Sequence, residues 1–272
     1  MSLRPFEYFS PASAQSVHTV LTDIDDTLSL HGRLPGAAYS ALERLQAAGL
    51  RVIPVTGRPA GWCDHIARFW PVDGVIGENG AFYMWHDAHA HVLRCRHWLA
   101  PDQQALARER LAQVQARILT EVPGCAVASD QFCRLYDLAI DFCEDVPALP
   151  ASAVERIATL MQEAGMTAKV SSIHVNGWFG DWDKLAMTRV MMAERYGLDL
   201  EQEATRMVFV GDSPNDAPMF ASFPNSVGVA NVRDCLDRLP HLPAWITQAP
   251  GGLGFVEFTN RLLALRSNSL PD

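Results

Sequence analysis

Val17-His18-Thr19-Val20-Leu21-Thr22-Asp23-Ile24-Asp25-Asp26-Thr27-Leu28 is the stretch on which the reading turns. Val17 to Thr22 is a short β-rich run, and it stops at three carboxylates, Asp23, Asp25 and Asp26. In an open parallel sheet the carboxyl ends of the strands are where ligands bind. Asp23 and Asp25 lie two apart, so in a continuing strand they face the same side. Carboxylates crowded there repel one another unless a cation or a proton intervenes, and hard oxygen ligands of this kind suit Mg2+. One carboxylate can act as a nucleophile toward phosphorus. A second can protonate the leaving oxygen and later deprotonate water, and the Thr27 hydroxyl can hold a phosphate oxygen. Asp and Thr are also common in helix caps and turns, so the cluster gains meaning only from its neighbours.

Two other apolar runs end in the same way. Val208-Phe209-Val210-Gly211-Asp212-Ser213-Pro214-Asn215-Asp216 is a strand, a glycine for a tight turn and then acids. Pro214 can start a helix at its first turn, and Asp212 is placed to reach the same crevice. Val52-Ile53-Pro54-Val55-Thr56-Gly57-Arg58 ends on a small polar residue. There Thr56 can offer its hydroxyl or its backbone N–H to a phosphoryl oxygen, and Arg58 can contact phosphate or remain a surface charge. Lys184, in Asp181-Trp182-Asp183-Lys184, is one of two lysines in the chain, with Lys169. A lysine beside a phosphate dianion and several carboxylates would balance charge; paired with Asp183 it would be an ordinary surface residue.

Around these motifs, strand and helix signals alternate. Gly36 to Ala48 and Ala60 to Phe69 read as helices and Val72 to Ile76 as a strand. Such alternation predicts βαβ units, a parallel sheet and helices on both faces. The grammar then changes. Trp85 to His91 is polar and reads as a linker. Pro101 to Glu121 is a long helix with Ala107, Leu111, Val114 and Ile118 on one stripe. Strand-like runs at Cys125–Ser129 and Arg134–Phe142, a helix within Val146–Ala164 and a strand at Thr167–Val175 follow. Asn176 to Asp183 reads as the return linker, after which Lys184–Tyr196, Met207–Val210, Pro214–Phe220, Ser226–Val229 and Phe255–Leu265 resume the α/β pattern. The fold expected is a three-layer, Rossmann-like α/β core, residues 1–85 and 178–272, interrupted by an inserted α+β unit, residues 86–177, of a size that folds independently.

In chain order, Asp23-x-Asp25-x-Thr27, Thr56, Lys184 and Gly211-Asp212-x-x-Asn215-Asp216 resemble the motifs of the haloacid dehalogenase-like superfamily of phosphohydrolases. The inserted unit resembles the type IIB cap of its sugar-phosphate phosphatases and phosphomannomutases, and Glu78-Asn79-Gly80-Ala81 is similar to the Asn-Gly-Ala turn those proteins carry before the cap. The resemblance implies Asp23 as nucleophile, Asp25 as general acid/base, Thr56 as a phosphoryl ligand and Lys184 orienting the phosphoryl group. It implies Mg2+ held by Asp23, the Asp25 backbone carbonyl and Asp212. Thr27, Gly57, Arg58, Gly211, Asn215 and Asp216 would support the site. Two departures stand out: Asp26 occupies a position where the family often has Gly, and Leu185 follows the lysine where many type IIB members have Gly.

Composition limits what else the chain could be. Its 272 residues are 49% apolar and 19% charged, which is globular. A net charge of −9 argues against holding nucleic acid by its phosphates. No apolar run is long enough to span a bilayer. Met1 to Ser16 lacks the basic start and apolar stretch of a signal peptide and reads as a loose leader. Six scattered cysteines without a C-x-x-C pair predict free thiols in a reducing compartment, hence the cytoplasm. The expected partner is a small phosphorylated metabolite met by a monomer or small homo-oligomer.

Within the inserted unit, Arg134, Ser171, Ser172, His174, Asn176 and Trp178 are candidate contacts for the leaving group. Ser172, His174 and Asn176 would share one strand face, and Trp178 could stack on a sugar. A phosphosugar is the class expected, by analogy with the cap. A phosphomutase would use the same Asp pair. A dehalogenase needs neither metal nor Asp25, and a non-catalytic phosphate-binding module has little use for Asp25 or the inserted unit. A degenerate scaffold would lack a catalytic carboxylate, and none is missing.

Overall fold

The computed structural model describes residues 3–171 and 173–267. In chain order its strands are β1 (Arg4–Pro5), β2 (Thr19–Thr22), β3 (Arg51–Pro54), β4 (Val75–Gly77), β5 (Phe82–Asp87), β6 (Val92–His97), β7 (Ala126–Val127), β8 (Asp137–Asp141), β9 (Thr167–Val170), β10 (His174–Trp178), β11 (Met207–Gly211), β12 (Val227–Gly228) and β13 (Trp245–Ile246). Its helices are α1 (Pro11–Ser16), α2 (Gly36–Ala47), α3 (Ala60–Phe69), α4 (Pro101–Glu121), α5 (Ala151–Glu163), α6 (Lys184–Tyr196), α7 (Leu200–Glu203), α8 (Ala217–Ser222) and α9 (Gly251–Ser267).

The main sheet runs β1-β13-β12-β11-β2-β3, and every pairing in it is parallel. Both faces are covered, as parallel sheets require. Val20, Val52, Val208 and Val210 pack with Leu42, Leu45, Phe255 and Leu262 on one side. The alternate residues Leu21, Ile53 and Phe209 pack with Met187, Met191 and Phe220 on the other. This is the three-layer α/β core the sequence predicts. The helix expected at Phe255–Leu265 starts earlier, at Gly251.

The inserted unit has its own core. Its sheet runs β7-β8-β10-β9, with antiparallel pairings. Leu138, Ile140 and Val175 pack under α4 and α5 through Leu111, Ile118, Ile157 and Leu160. Strand alternation then turns Asp137 and Asp141 of β8 and His174 and Asn176 of β10 to the opposite face.

Four local expectations are corrected. Trp85–His91 is no linker: Trp85 to Asp87 continue β5 and pair with β6, so the expected boundary after residue 85 falls inside a hairpin of the sheet β4-β5-β6. Thr167–Val175 is two antiparallel strands, because the chain turns after Val170 and the Ser171 hydroxyl accepts the N–H of His174 at 2.9 Å. The expected return linker from Asn176 begins as strand, since Asn176 to Trp178 pair with β8. The described part of the leader, from residue 3, packs onto the core: Arg4 and Pro5 pair with β13, and Phe6 and Phe9 stack 4.9 Å apart in the core.

Candidate active site

β2 and β11 lie side by side at the centre of the main sheet, Thr22 opposite Val210. The Asp23 N–H donates to the Val210 carbonyl at 2.9 Å, so Asp23 and Asp212 leave the sheet together. Position 211 has room only for glycine, because a Cβ there would meet Asp216 Oδ2 at 2.5 Å. That oxygen accepts the N–H groups of Asp212 and Ser213, at 3.0 and 3.2 Å, which ties the loop into one turn.

Lys184 is the first residue of α6, whose N-terminus is capped by Asp183 through a 2.7 Å bond from the Ala186 N–H. Asp183 is therefore a cap, and Lys184 is free to turn inward. Its Nζ lies 2.7 Å from Asp23 Oδ1 and 2.7 Å from Asp216 Oδ1. Gly80, at φ +108°, allows this helix start to approach: a Cβ on it would stand 2.1 Å from the Asp183 carbonyl oxygen. The Leu185 side chain packs against the core beneath α6.

Buried carboxylates outnumber the lysine. Burial pushes the Asp23 carboxyl up to about 7; Lys184 opposes this, while Asp216 and Asp25 add to it. Asp212 is pushed well up by burial and then by Asp23 and Asp216. Burial alone would lower Lys184, but Asp216 and Asp23 more than offset it and hold it protonated. Carboxylate oxygens of Asp23, Asp212 and Asp216 lie within 4.8 Å of one another, all buried. Three carboxylates against one ammonium are a donor set for a hard divalent cation. Asp216 is engaged through both oxygens by Lys184 and two N–H groups; Asp23 and Asp212, at adjacent strand ends, are the pair that could hold such a cation.

The remaining motif residues take specific places. The Thr27 hydroxyl donates to Asp212 Oδ1 at 3.1 Å, so it orients a carboxylate where it was expected to hold phosphate. The Thr56 N–H is committed to the Ile76 carbonyl, and its hydroxyl accepts the Arg58 N–H at 3.0 Å. Only the hydroxyl hydrogen is thus available to a phosphoryl oxygen. Arg58 is no surface charge. Its Nε donates to both Asp25 oxygens at 3.0 Å and its Nη2 to Asp25 Oδ1 at 2.8 Å, with the guanidinium 4.3 Å over the Trp62 ring. The Gly57 carbonyl accepts from Arg134 at 3.0 Å. Asn215 accepts from the Ser213 hydroxyl at 2.6 Å. Asp26 sits at φ +54°, the left-handed conformation that glycine adopts most easily, which explains how an aspartate replaces glycine there.

A crevice joins this cluster to the inserted unit. Asp23 and Asp25 line its floor, and Arg58, joined by Arg134, His174 and Asn176 of the inserted unit, lines its roof. Trp178 does not reach it: fully buried, its ring stacks 6.0 Å from Trp182. Ser172 lies outside the described residues. Several residues at the site escaped the sequence reading. Asn231 donates to Asp212 Oδ2 and to the Asp26 carbonyl, both at 3.0 Å; it follows β12 as the acids follow β2 and β11, which was the available signal. Glu78 accepts N–H bonds from Ala60, Leu135, Tyr136 and Asp137, fastening the inserted unit to the core. Burial nevertheless pushes its carboxyl up to about 8, with Asp137 adding to the rise. Glu144 and Asp130 reach Arg58 from the inserted unit at 3.2 and 3.5 Å.

A family model described as haloacid dehalogenase-like hydrolase matches residues 20–116. A phosphoglycolate phosphatase of Pyrobaculum neutrophilum is 28% identical over 249 residues, covering 90% of this chain and 95% of that protein. Among solved structures, a protein of Thermoplasma acidophilum superposes with a TM-score of 0.68 at 15% identity, over 91% of this chain and 98% of its own. The sucrose-phosphatase of Synechocystis sp. PCC6803 does so with a TM-score of 0.61 at 14% identity, over 90% and 97%.

Proposed function

We propose that this haloacid dehalogenase-like hydrolase is a Mg2+-dependent phosphatase that cleaves a small phosphomonoester, such as a sugar phosphate, through a phospho-enzyme on Asp23. The observation that carries the reading is Asp23 itself: a buried carboxylate at a strand end, 2.7 Å from Lys184 and beside Asp212. In the first step an Asp23 carboxylate oxygen forms a bond to phosphorus as the ester oxygen leaves, and Asp25 gives that oxygen its proton. In the second step Asp25 takes a proton from water, whose oxygen displaces Asp23 and releases inorganic phosphate. Lys184 and the Thr56 hydroxyl hold the phosphoryl oxygens. Asp23, Asp212 and the Asp25 carbonyl would hold Mg2+, which supplies positive charge against the developing metaphosphate-like charge.

The relatives named phosphoglycolate phosphatases support phosphomonoester hydrolysis. Free cysteines among the described residues suit a reducing, cytoplasmic setting, and no described helix is long and apolar enough to cross a membrane. The test is phosphate release from p-nitrophenyl phosphate and a panel of phosphosugars, with Mg2+ and with a chelator. Release that needs Mg2+ and is absent in Asp23→Asn is the expected result. Turnover retained in Asp23→Asn would overturn the mechanism. Transfer of phosphate between sugar positions without release would replace the phosphatase with a mutase.

A further inference from the structure

The roof of the crevice carries two guanidiniums, and most of their hydrogen-bond donors are already committed. Arg58 spends Nε and Nη2 on Asp25, Nη2 also on Glu144, and points Nη1 at Asp130. Arg134 spends Nε on Asp130 at 3.1 Å and Nη1 on both Asp137 oxygens and the Gly57 carbonyl. The Asn176 amide donates to Asp137 at 2.9 Å. The Ser171 hydroxyl donates to the His174 carbonyl at 3.0 Å. His174 Nε2 faces Glu144 Oε2 at 2.9 Å. Two guanidiniums therefore stand against four carboxylates, Asp25, Asp130, Asp137 and Glu144, and much of the capacity left is for accepting hydrogen bonds.

Glu144 is placed for this by its own turn. Asp141 Oδ1 accepts the N–H groups of Cys143 and Glu144, at 2.9 and 2.7 Å, and Asp141 Oδ2 accepts that of Asp145 at 2.8 Å. The turn aims the Glu144 carboxylate between the Arg58 guanidinium and the His174 ring, where it occupies the face of Arg58 that a leaving-group anion would seek. His174, against the opposing effect of burial, and then Arg58 hold that carboxyl down at about 2.

We infer that Glu144 is a specificity-determining residue that closes this subsite to carboxylated leaving groups and selects phosphoesters whose leaving group donates hydrogen bonds, a polyol or an amine. The inference rests on the phosphatase reading above. A carboxylate entering beside Asp130 and Glu144 meets like charge in a poorly solvated crevice and finds the guanidiniums occupied. A hydroxyl or ammonium group finds acceptors.

The experiment compares three small phosphoesters of similar size: phosphoglycolate, glycerol phosphate and phosphoethanolamine. The p-nitrophenyl phosphate rate is measured alongside, so a failure of the phosphatase reading shows separately as no turnover of any ester. In the wild-type enzyme kcat/KM should be lowest for phosphoglycolate, by about tenfold or more. Glu144→Gln keeps the shape and removes the charge. It should raise kcat/KM for phosphoglycolate relative to glycerol phosphate by about tenfold, mostly through KM. Glu109→Gln, a surface change of equal charge on α4, should leave the ratio alone. A wild-type preference for phosphoglycolate, or an unchanged ratio in Glu144→Gln, would overturn the inference, and an equal shift in Glu109→Gln would reduce it to a net-charge effect.

Discussion

The floor and the roof of the crevice are both clusters of buried charge, and they are built differently. The floor draws its carboxylates from two adjacent parallel strands, and backbone groups fix much of it: Asp23 hangs from the Val210 carbonyl and Asp216 is pinned by two N–H groups. The roof is held by side chains from several segments, Arg58 from the core and Asp130, Arg134, Asp137 and Glu144 from the inserted unit, joined by ion pairs. A site held by backbone is prescribed by strand ends and keeps its geometry when a side chain changes. A site held by mutual ion pairs stands or falls with each member.

The largest effect should come from the floor. Asp23→Asn removes the carboxylate proposed to attack phosphorus, while Lys184 keeps Asp216 as a partner. Turnover should fall by about a thousandfold or more, with thermal stability close to that of the wild-type protein, as read by steady-state kinetics and a melt. The converse belongs to the roof. Arg134→Met leaves buried Asp137 with the Asn176 amide and buried Asp130 with Arg58 at 3.5 Å in place of an ion pair, and should cost about 3 kcal/mol in denaturant unfolding. If the stability loss is instead under about 1 kcal/mol, the roof is not held together in this way.

The same difference decides how much is legible in sequence. The floor acids lie within a few positions of an apolar strand end, so local pattern marks Asp23, Asp25, Asp212 and Asp216, whereas Thr56 and Lys184 are ambiguous by themselves and are singled out by the order of the motifs. It also marks the three layers, because both faces of β2, β3 and β11 are apolar. The roof has no local signature. Glu144 matters because a turn held by Asp141 carries it to Arg58, 86 positions away in sequence, and periodicity does not encode such a pairing. Trp178 misleads because an aromatic beside polar residues suits a sugar platform as well as a buried stack. Ser171 to Asn176 reads as one strand because alternation continues across a turn that contains no glycine or proline. The β1 pairing is invisible in a two-residue strand.

A smaller effect tests the joint between the floor and the turn that precedes the inserted unit. Gly80→Ala places a methyl against the Asp183 carbonyl and must push the start of α6 outward. Lys184 would move with it. A shift of a fraction of an ångström in an orienting group should lower kcat by about ten- to a hundredfold, with KM for p-nitrophenyl phosphate changing less. Equal losses in kcat/KM and in folded fraction would mean that the turn serves stability alone.

The smallest effect concerns Asp26, where the floor departs from the pattern it otherwise keeps. Its backbone is already tied at both ends: the N–H donates to the Ser29 hydroxyl at 2.9 Å and the carbonyl accepts from Asn231 at 3.0 Å. Asp26→Gly would keep both bonds and remove the steric cost of φ +54°, about 1 kcal/mol for a residue with a Cβ. It would also remove a negative charge that helps push Asp212 up. Against this stands the greater freedom of glycine in the unfolded chain, about 0.5–1 kcal/mol. Aspartate tolerates this conformation better than most residues, so the terms nearly cancel, and charge relief tips the sum toward a gain of about 0.5 kcal/mol, read by denaturant unfolding without metal. Adding Mg2+ should shrink that gain, because the cation neutralises the repulsion that the substitution removes. A loss of stability in both conditions would mean that the Asp26 carboxylate makes a favourable contact of its own, and the floor would then be held partly by side chains, as the roof is.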